Sequence, residues 1–269
     1  MSSKPLTPRP AATVTLVRDG LAGIEVLMVE RSAQSVFVPS NYVFPGGALD
    51  AEDGEAADIC AGMSDARASH LLCIENGGLA YWVAAIRETF EEVGLLLAYD
   101  KAGELVGLTD PDAIAHFAAR RHDLERRRTT FNAFVRDERL TLAADRMAYF
   151  SHWITPEGAP RRYDTRFFVA EAPPAQEPLH DNREAVSHLW VAPAAALDRH
   201  HAGEFKMRFP TVRTLELFAG YDSAADLVAA LRRQRPIPAI LPRIHADGRR
   251  LLPGDPGYEE AAVQRGKYE

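Results

Sequence analysis

Residues 79–97 read LAYWVAAIRETFEEVGLLL. Leu79, Val83, Ile86, Phe90 and Val93 recur at helical spacing and share one face, because residues three and four apart are neighbours on a helix. The pattern predicts a helix over 79–93 that Gly94 ends, then a buried strand over 95–99. Glu88, Glu91 and Glu92 project from roughly the opposite face. Like charges at this spacing destabilise a helix by a few tenths of a kcal/mol per pair. Arg87 compensates Glu91 at i,i+4 but not all three acids, so something positive is expected there. Hard oxygen ligands in this density suit Mg²⁺ or Mn²⁺. The alternative is a solvated acidic face.

Upstream, two β-branched runs at 11–17 and 24–29 flank Arg18-Asp19-Gly20, which predicts a hairpin. A short strand over 42–44 is expected to halt at the turn Pro45-Gly46-Gly47, which leads into the acids of 50–53. Residues 54–78 are low in hydrophobicity and bounded by glycines. They read as an insertion with a short helix over 64–70, either covering the site or decorating the surface. Downstream, helices are expected over 111–120 and 124–135, with Asp110 and Asp123 as caps. Strands follow at 148–154, 166–170 and 187–191, then helices at 193–199, 211–218 and 223–233 and a last strand over 239–244. The expected class is α/β, a mixed sheet with helices against it.

A chain of 269 residues suits one large domain, here 11–269 behind a flexible tail over 1–10, with 203–269 as a C-terminal extension packed on it. Apolar content of 46% and charged content of 26% are those of a globular protein. A net charge of −7 argues against a general nucleic-acid or membrane-surface binder. No run approaches the eighteen or so apolar residues of a membrane span. Two cysteines without zinc spacing, and no signal-peptide core, point to a reducing, cytoplasmic location. Dimers are common among soluble enzymes, and the C-terminal helices from Thr211 onward are either a homodimer interface or an extra layer.

Phe44-Pro45-Gly46-Gly47-Ala48-Leu49-Asp50 followed by Arg87-Glu88-Thr89-Phe90-Glu91-Glu92-Val93-Gly94-Leu95 resembles the Nudix box, the signature of the Nudix hydrolases. Departures are Thr89 at an aliphatic position, Asp53 where the family has Glu, and the intervening residues 54–78. An interrupted box resembles the branch containing the animal peroxisomal coenzyme A diphosphatase. Arg162-Tyr163-Asp164-Thr165 with Phe167-Phe168, and Leu251-Leu252-Pro253-Gly254-Asp255, are similar to that branch too.

The resemblance implies an α/β/α sandwich with a mixed central sheet. It also implies that Glu88, Glu91 and Glu92, with the Gly47 carbonyl, hold one or more divalent cations while Arg87 orients the acids. The implied reaction is water attack on a nucleoside diphosphate linked to a group X, with Glu88 or Glu184 as general base. Coenzyme A or acyl-coenzyme A is the first expected substrate, and ADP-ribose or NADH the alternative. A ligand-sensing module without turnover is the alternative of another class. Arg162 and Asp53 are candidate substrate contacts, and Tyr42, Phe37 and Phe168 either stack adenine or belong to the core.

Overall fold

A computed structural model describes residues 6–31, 41–157, 159–179, 185–245 and 247–261. Strands β1 (Arg9–Gly20) and β2 (Gly23–Arg31) form the expected hairpin, with β1 starting inside the stretch expected to be tail. The turn comes later than Arg18-Asp19-Gly20: Gly20 pairs with Gly23, which leaves Leu21-Ala22 as the loop. Gly23 there takes φ 113°, open to glycine and costly for other residues.

β3 (Tyr42–Val43) lies on β2, and β4 (Gly46–Ala48) lies on β1. The glycines are therefore a short strand and not the expected turn. β2 pairs with β1 only over the hairpin end, Val17 to Gly20, and β4 fills the β1 edge from Ala11 to Thr13. A side chain would forbid that approach, since a Cβ on Gly46 would lie 2.4 Å from the Ala12 carbonyl oxygen.

β5 (Ala98–Tyr99) pairs with β6 (Thr141–Leu142) outside the main sheet. The expected strand over 95–99 is thus mostly irregular. Leu96 has its N–H and carbonyl taken by the Gln176 side chain in place of a neighbouring strand. β7 (Ala148–Ile154), β8 (Tyr163–Glu171), β9 (Ala185–Val191) and β10 (Ala239–Ile240) complete the main sheet, in the order β10-β7-β8-β1-β2-β3 with β9 also on β2. β1 and β8 run parallel, as do β7 and β10, and the other pairs are antiparallel. The last expected strand is split: β10 ends before Pro242, which has no N–H to donate, and β11 (Arg243–Ile244) pairs with β12 (Arg250–Leu251).

Alternation along the strands sends side chains to two cores. Val14, Leu16, Leu27 and Val29 pack with Trp82, Ile86, Phe90 and Phe134. Those belong to a layer of α1 (Asp65–Leu72), α2 (Leu79–Val93), α3 (Pro111–Glu125) and α4 (Phe131–Asp137). Val17, Val26 and Met28 pack on the other face with α5 (Pro193–His201), α6 (Phe209–Phe218) and α7 (Ala224–Arg233). The result is an α/β/α arrangement in which the C-terminal helices cover the second face. Asp110 caps α3 as expected, accepting from the Ala113 N–H at 3.0 Å. Asp123 caps nothing: it lies within α3 and pairs with Arg128, while the Thr130 hydroxyl caps α4. Among the described residues no helix is long and apolar enough to cross a membrane.

Candidate active site

The expected two-faced helix is buried nearly all round: within α2 only Glu88 and Glu91 are not buried. Two of its three acids are thus half-buried and the third, Glu92, is buried. Arg87, 6% exposed, gathers them. Its Nε and Nη2 donate to the two oxygens of Asp53 at 2.9 and 3.0 Å, and Nη2 also donates to the Ala48 carbonyl at 3.0 Å. Nη1 donates to Glu88 at 2.9 Å and Glu91 at 3.2 Å. Glu92 turns the other way, its Oε2 accepting from the Gly46 N–H at 3.1 Å and its Oε1 lying 3.8 Å from Arg31.

These contacts explain the glycine pair upstream. Gly46 brings its N–H to Glu92, and Gly47 makes room for Glu88: a Cβ on Gly47 would stand 2.5 Å from that carboxyl. Charge balance is poor, since one guanidinium serves three carboxylates. Burial pushes the Glu88 carboxyl up to about 7, against the pull of Arg87. Burial raises Glu91 and Asp53 as well. It also opposes the Arg87 charge, but Asp53, Glu88 and Glu91 outweigh it and raise that pKa.

A cavity of about 900 Å³ opens beside these groups. Glu88, Glu91 and Glu92 form one wall with Asp50 and Asp53, and the end of α3 and start of α4 form another. An uncompensated, half-buried set of hard oxygens fits a divalent cation, and Glu88, Glu91, Glu92 and the Gly47 carbonyl are groups that could hold one. As they stand, no three acid, histidine or cysteine side chains among the described residues converge as a ready metal cage. Arg87 and the Gly46 amide draw them apart.

A family model described as the NUDT19 Nudix domain matches residues 59–217, more than half the chain. The chain belongs to the NUDT19 branch of the Nudix hydrolases. It is 30% identical over 208 residues to the acyl-coenzyme A diphosphatase NUDT19 of Xenopus laevis, a match covering 65% of this chain and 54% of that one. With its Gallus gallus counterpart it shares 30% identity over 288 residues, 90% of this chain and 74% of the other. The chain thus spans about half the length of the frog relative. Among solved structures, a Nudix hydrolase from Alicyclobacillus acidocaldarius superposes with a TM-score of 0.67 at 28% identity, covering 85% of this chain and 99% of that one.

The other sequence candidates fall as follows. Asp53, expected as a substrate contact, is 2% exposed and has both oxygens engaged, by Arg87 and by the Asp50 N–H. Its place is under Arg87, as a positioning group. Arg162 is buried and donates to the Thr155 and Leu6 carbonyls, tying the N-terminal segment to the start of β8. Its neighbour Asp164 is engaged by His152 and Arg166. Tyr42 stacks on Phe205 at 3.9 Å, and Phe168 is fully buried against Trp82. Glu184 and Phe37 lie outside the described residues.

Sequence reasoning missed Arg121 as a partner of the Nudix helix. It donates to the Glu91 and Glu92 carbonyls at 2.8 and 2.9 Å and so closes the C-terminal end of α2. Its position in a run of arginines carried no sign of this, because its partners are backbone oxygens.

Proposed function

We propose that the chain hydrolyses the diphosphate of coenzyme A or an acyl-coenzyme A in a reaction dependent on Mg²⁺ or Mn²⁺. The observation that carries this reading is the buried carboxylate surplus of α2, facing a cavity of nucleotide size in a chain of this family. The frog and chicken relatives, named as acyl-coenzyme A diphosphatases, support the substrate class. A bound divalent cation supplies neutralisation of the diphosphate oxygens and activation of water. Glu88, Glu91, Glu92 and the Gly47 carbonyl would hold it. Arg87, fixed by Asp53, keeps Glu88 and Glu91 turned to one side.

Water adds to one phosphorus, the bridging oxygen departs with the other phosphate, and the water proton passes to a carboxylate. We assign that last task to Glu88, whose carboxyl lines the cavity. Glu184 is the alternative base. The unpaired thiols of Cys60 and Cys73 suit a reducing compartment such as the cytoplasm.

The test is product identification by mass spectrometry with Mg²⁺ or Mn²⁺ and a panel of coenzyme A, acyl-coenzyme A, ADP-ribose and NADH. Cleavage of coenzyme A into adenosine 3′,5′-bisphosphate and phosphopantetheine is expected. No cleavage of any member defeats the hydrolase reading, and cleavage of ADP-ribose or NADH alone defeats the substrate.

A further inference from the structure

Among the described residues the site cavity carries two arginines, Arg87 and Arg127. Arg87 is committed to Asp53, Ala48, Glu88 and Glu91 and has nothing to offer a substrate. Arg127 stands on the other wall, in the turn between α3 and α4. Its neighbour Arg128 pairs with Asp123, whereas no side-chain partner holds Arg127 among the described residues.

Its backbone is also unusual. Arg127 has φ 54°, the left-handed conformation that follows many helices and favours glycine. Side chains that keep such positions cluster where a ligand is clamped. Arg127 lines a cavity otherwise rich in acids, Glu52 and Glu125 among them, which would repel an anionic group lying away from Glu88 to Glu92. Asn132 on the same wall adds a second unmet demand. Its amide nitrogen donates to the Glu52 carbonyl at 2.6 Å, which fixes the amide orientation and leaves Oδ1 buried without a donor.

We propose that Arg127 binds a phosphate outside the scissile diphosphate, the 3′-phosphate of the substrate's adenosine, with Asn132 Oδ1 accepting an N–H from the same nucleotide. The assignment rests on the coenzyme A reading, since that molecule has one anionic group besides its diphosphate, and among the described residues Arg127 is the cation on this wall left to meet it. Arg127 is then a specificity residue and takes no part in bond cleavage.

The test uses Arg127→Gly, which the left-handed backbone favours, in two measurements on the full chain. Calorimetric affinity for adenosine 3′,5′-bisphosphate should fall about tenfold or more, the size of a lost charged hydrogen bond, while affinity for 5′-AMP changes far less. The ratio of kcat/KM for coenzyme A to that for 3′-dephospho-coenzyme A should fall by a similar factor, with a melting temperature no lower than wild type. Equal losses for both members of either pair, or no loss, overturn the proposal. If neither protein turns over any substrate, the hydrolase reading fails separately and the bisphosphate binding still decides this one.

Discussion

Replacing Glu88 with Gln tests the central claim, that α2 holds more negative charge than the protein itself can neutralise. Gln has nearly the shape of Glu, and its Oε1 still accepts from Arg87 Nη1 in place of the contact now at 2.9 Å. Only the charge is removed. In the cation-free protein, burial raises the Glu88 carboxyl from 4.5 to about 7, so the folded state binds that proton more tightly than the unfolded chain. Stability contributed by this group is then present at low pH and lost as pH rises from 4.5 through 7. The loss above pH 7 is roughly 3 kcal/mol at 1.36 kcal/mol per decade. With EDTA present, Glu88→Gln should therefore be more stable than wild type by roughly 2–3 kcal/mol at pH 8, and by under about 1 kcal/mol at pH 5.

Saturating Mn²⁺ should close most of that gap. Wild type gains about 2.7 kcal/mol when the ion stands at a hundred times its Kd, and the variant, short of one hard ligand, gains less. Urea unfolding followed by circular dichroism, at both pH values and with EDTA or Mn²⁺, reads all four conditions. Equal stabilities at pH 8 in EDTA, or an undiminished Mn²⁺ gain in the variant, would refute the reasoning.

Two other substitutions separate the supports of the site. Asp53→Asn breaks the bidentate pairing of a buried guanidinium and should cost about 3–5 kcal/mol in urea unfolding, the range for removing one member of a buried ion pair. It should also lower kcat more than it raises KM, because Arg87 no longer holds Glu88 and Glu91. Gly47→Ala drives a methyl into the Glu88 carboxyl, 2.5 Å away as built, and should abolish most turnover while costing only about 1–3 kcal/mol of stability. Steady-state kinetics beside a melting curve checks it: activity near wild type would mean that Glu88 need not stay where it stands.

What the sequence shows and hides divides along local and non-local causes. The helix of Leu79–Val93, its Gly94 stop and the strand pair β1–β2 were legible because periodicity and turn residues act within a few positions. The Gly46-Gly47 segment was not. Its strand character comes from the vacant edge of β1, and its lack of side chains from Glu88 and Ala12, all far away in sequence. Asp53 likewise reads as one more acid until Arg87 is folded onto it across 34 positions. The cap of α4 was misplaced onto Asp123 because α3 runs on past it to Glu125, and packing of Phe131 and Phe134 beside Phe90 sets where the next helix starts, behind Thr130. In each case the missing information is a contact between distant segments.

The insertion shows what such contacts accomplish. Residues 54–78 neither cover the site nor merely decorate the surface: α1 supplies the cap that α2 lacks. The N-cap of α2 is Gly78, which has no side chain, yet the Leu79 and Gly77 N–H groups donate to the Asp65 carboxylate at 2.9 and 3.0 Å. The Gly78 N–H donates to the Ser69 hydroxyl at 2.9 Å. A side chain at residue 78 would prevent this, since its Cβ would lie 2.2 Å from the Ser69 nitrogen. Asp65 places negative charge at the positive end of the helix dipole, and Arg121 places positive charge at the other. Between them, Asp53 fixes Arg87 from the segment just before the insertion. A helix carrying three mutually repelling acids would not by itself keep them over one cavity. Here it is gripped at both ends and in the middle, and the interruption in the Nudix box provides one of those grips.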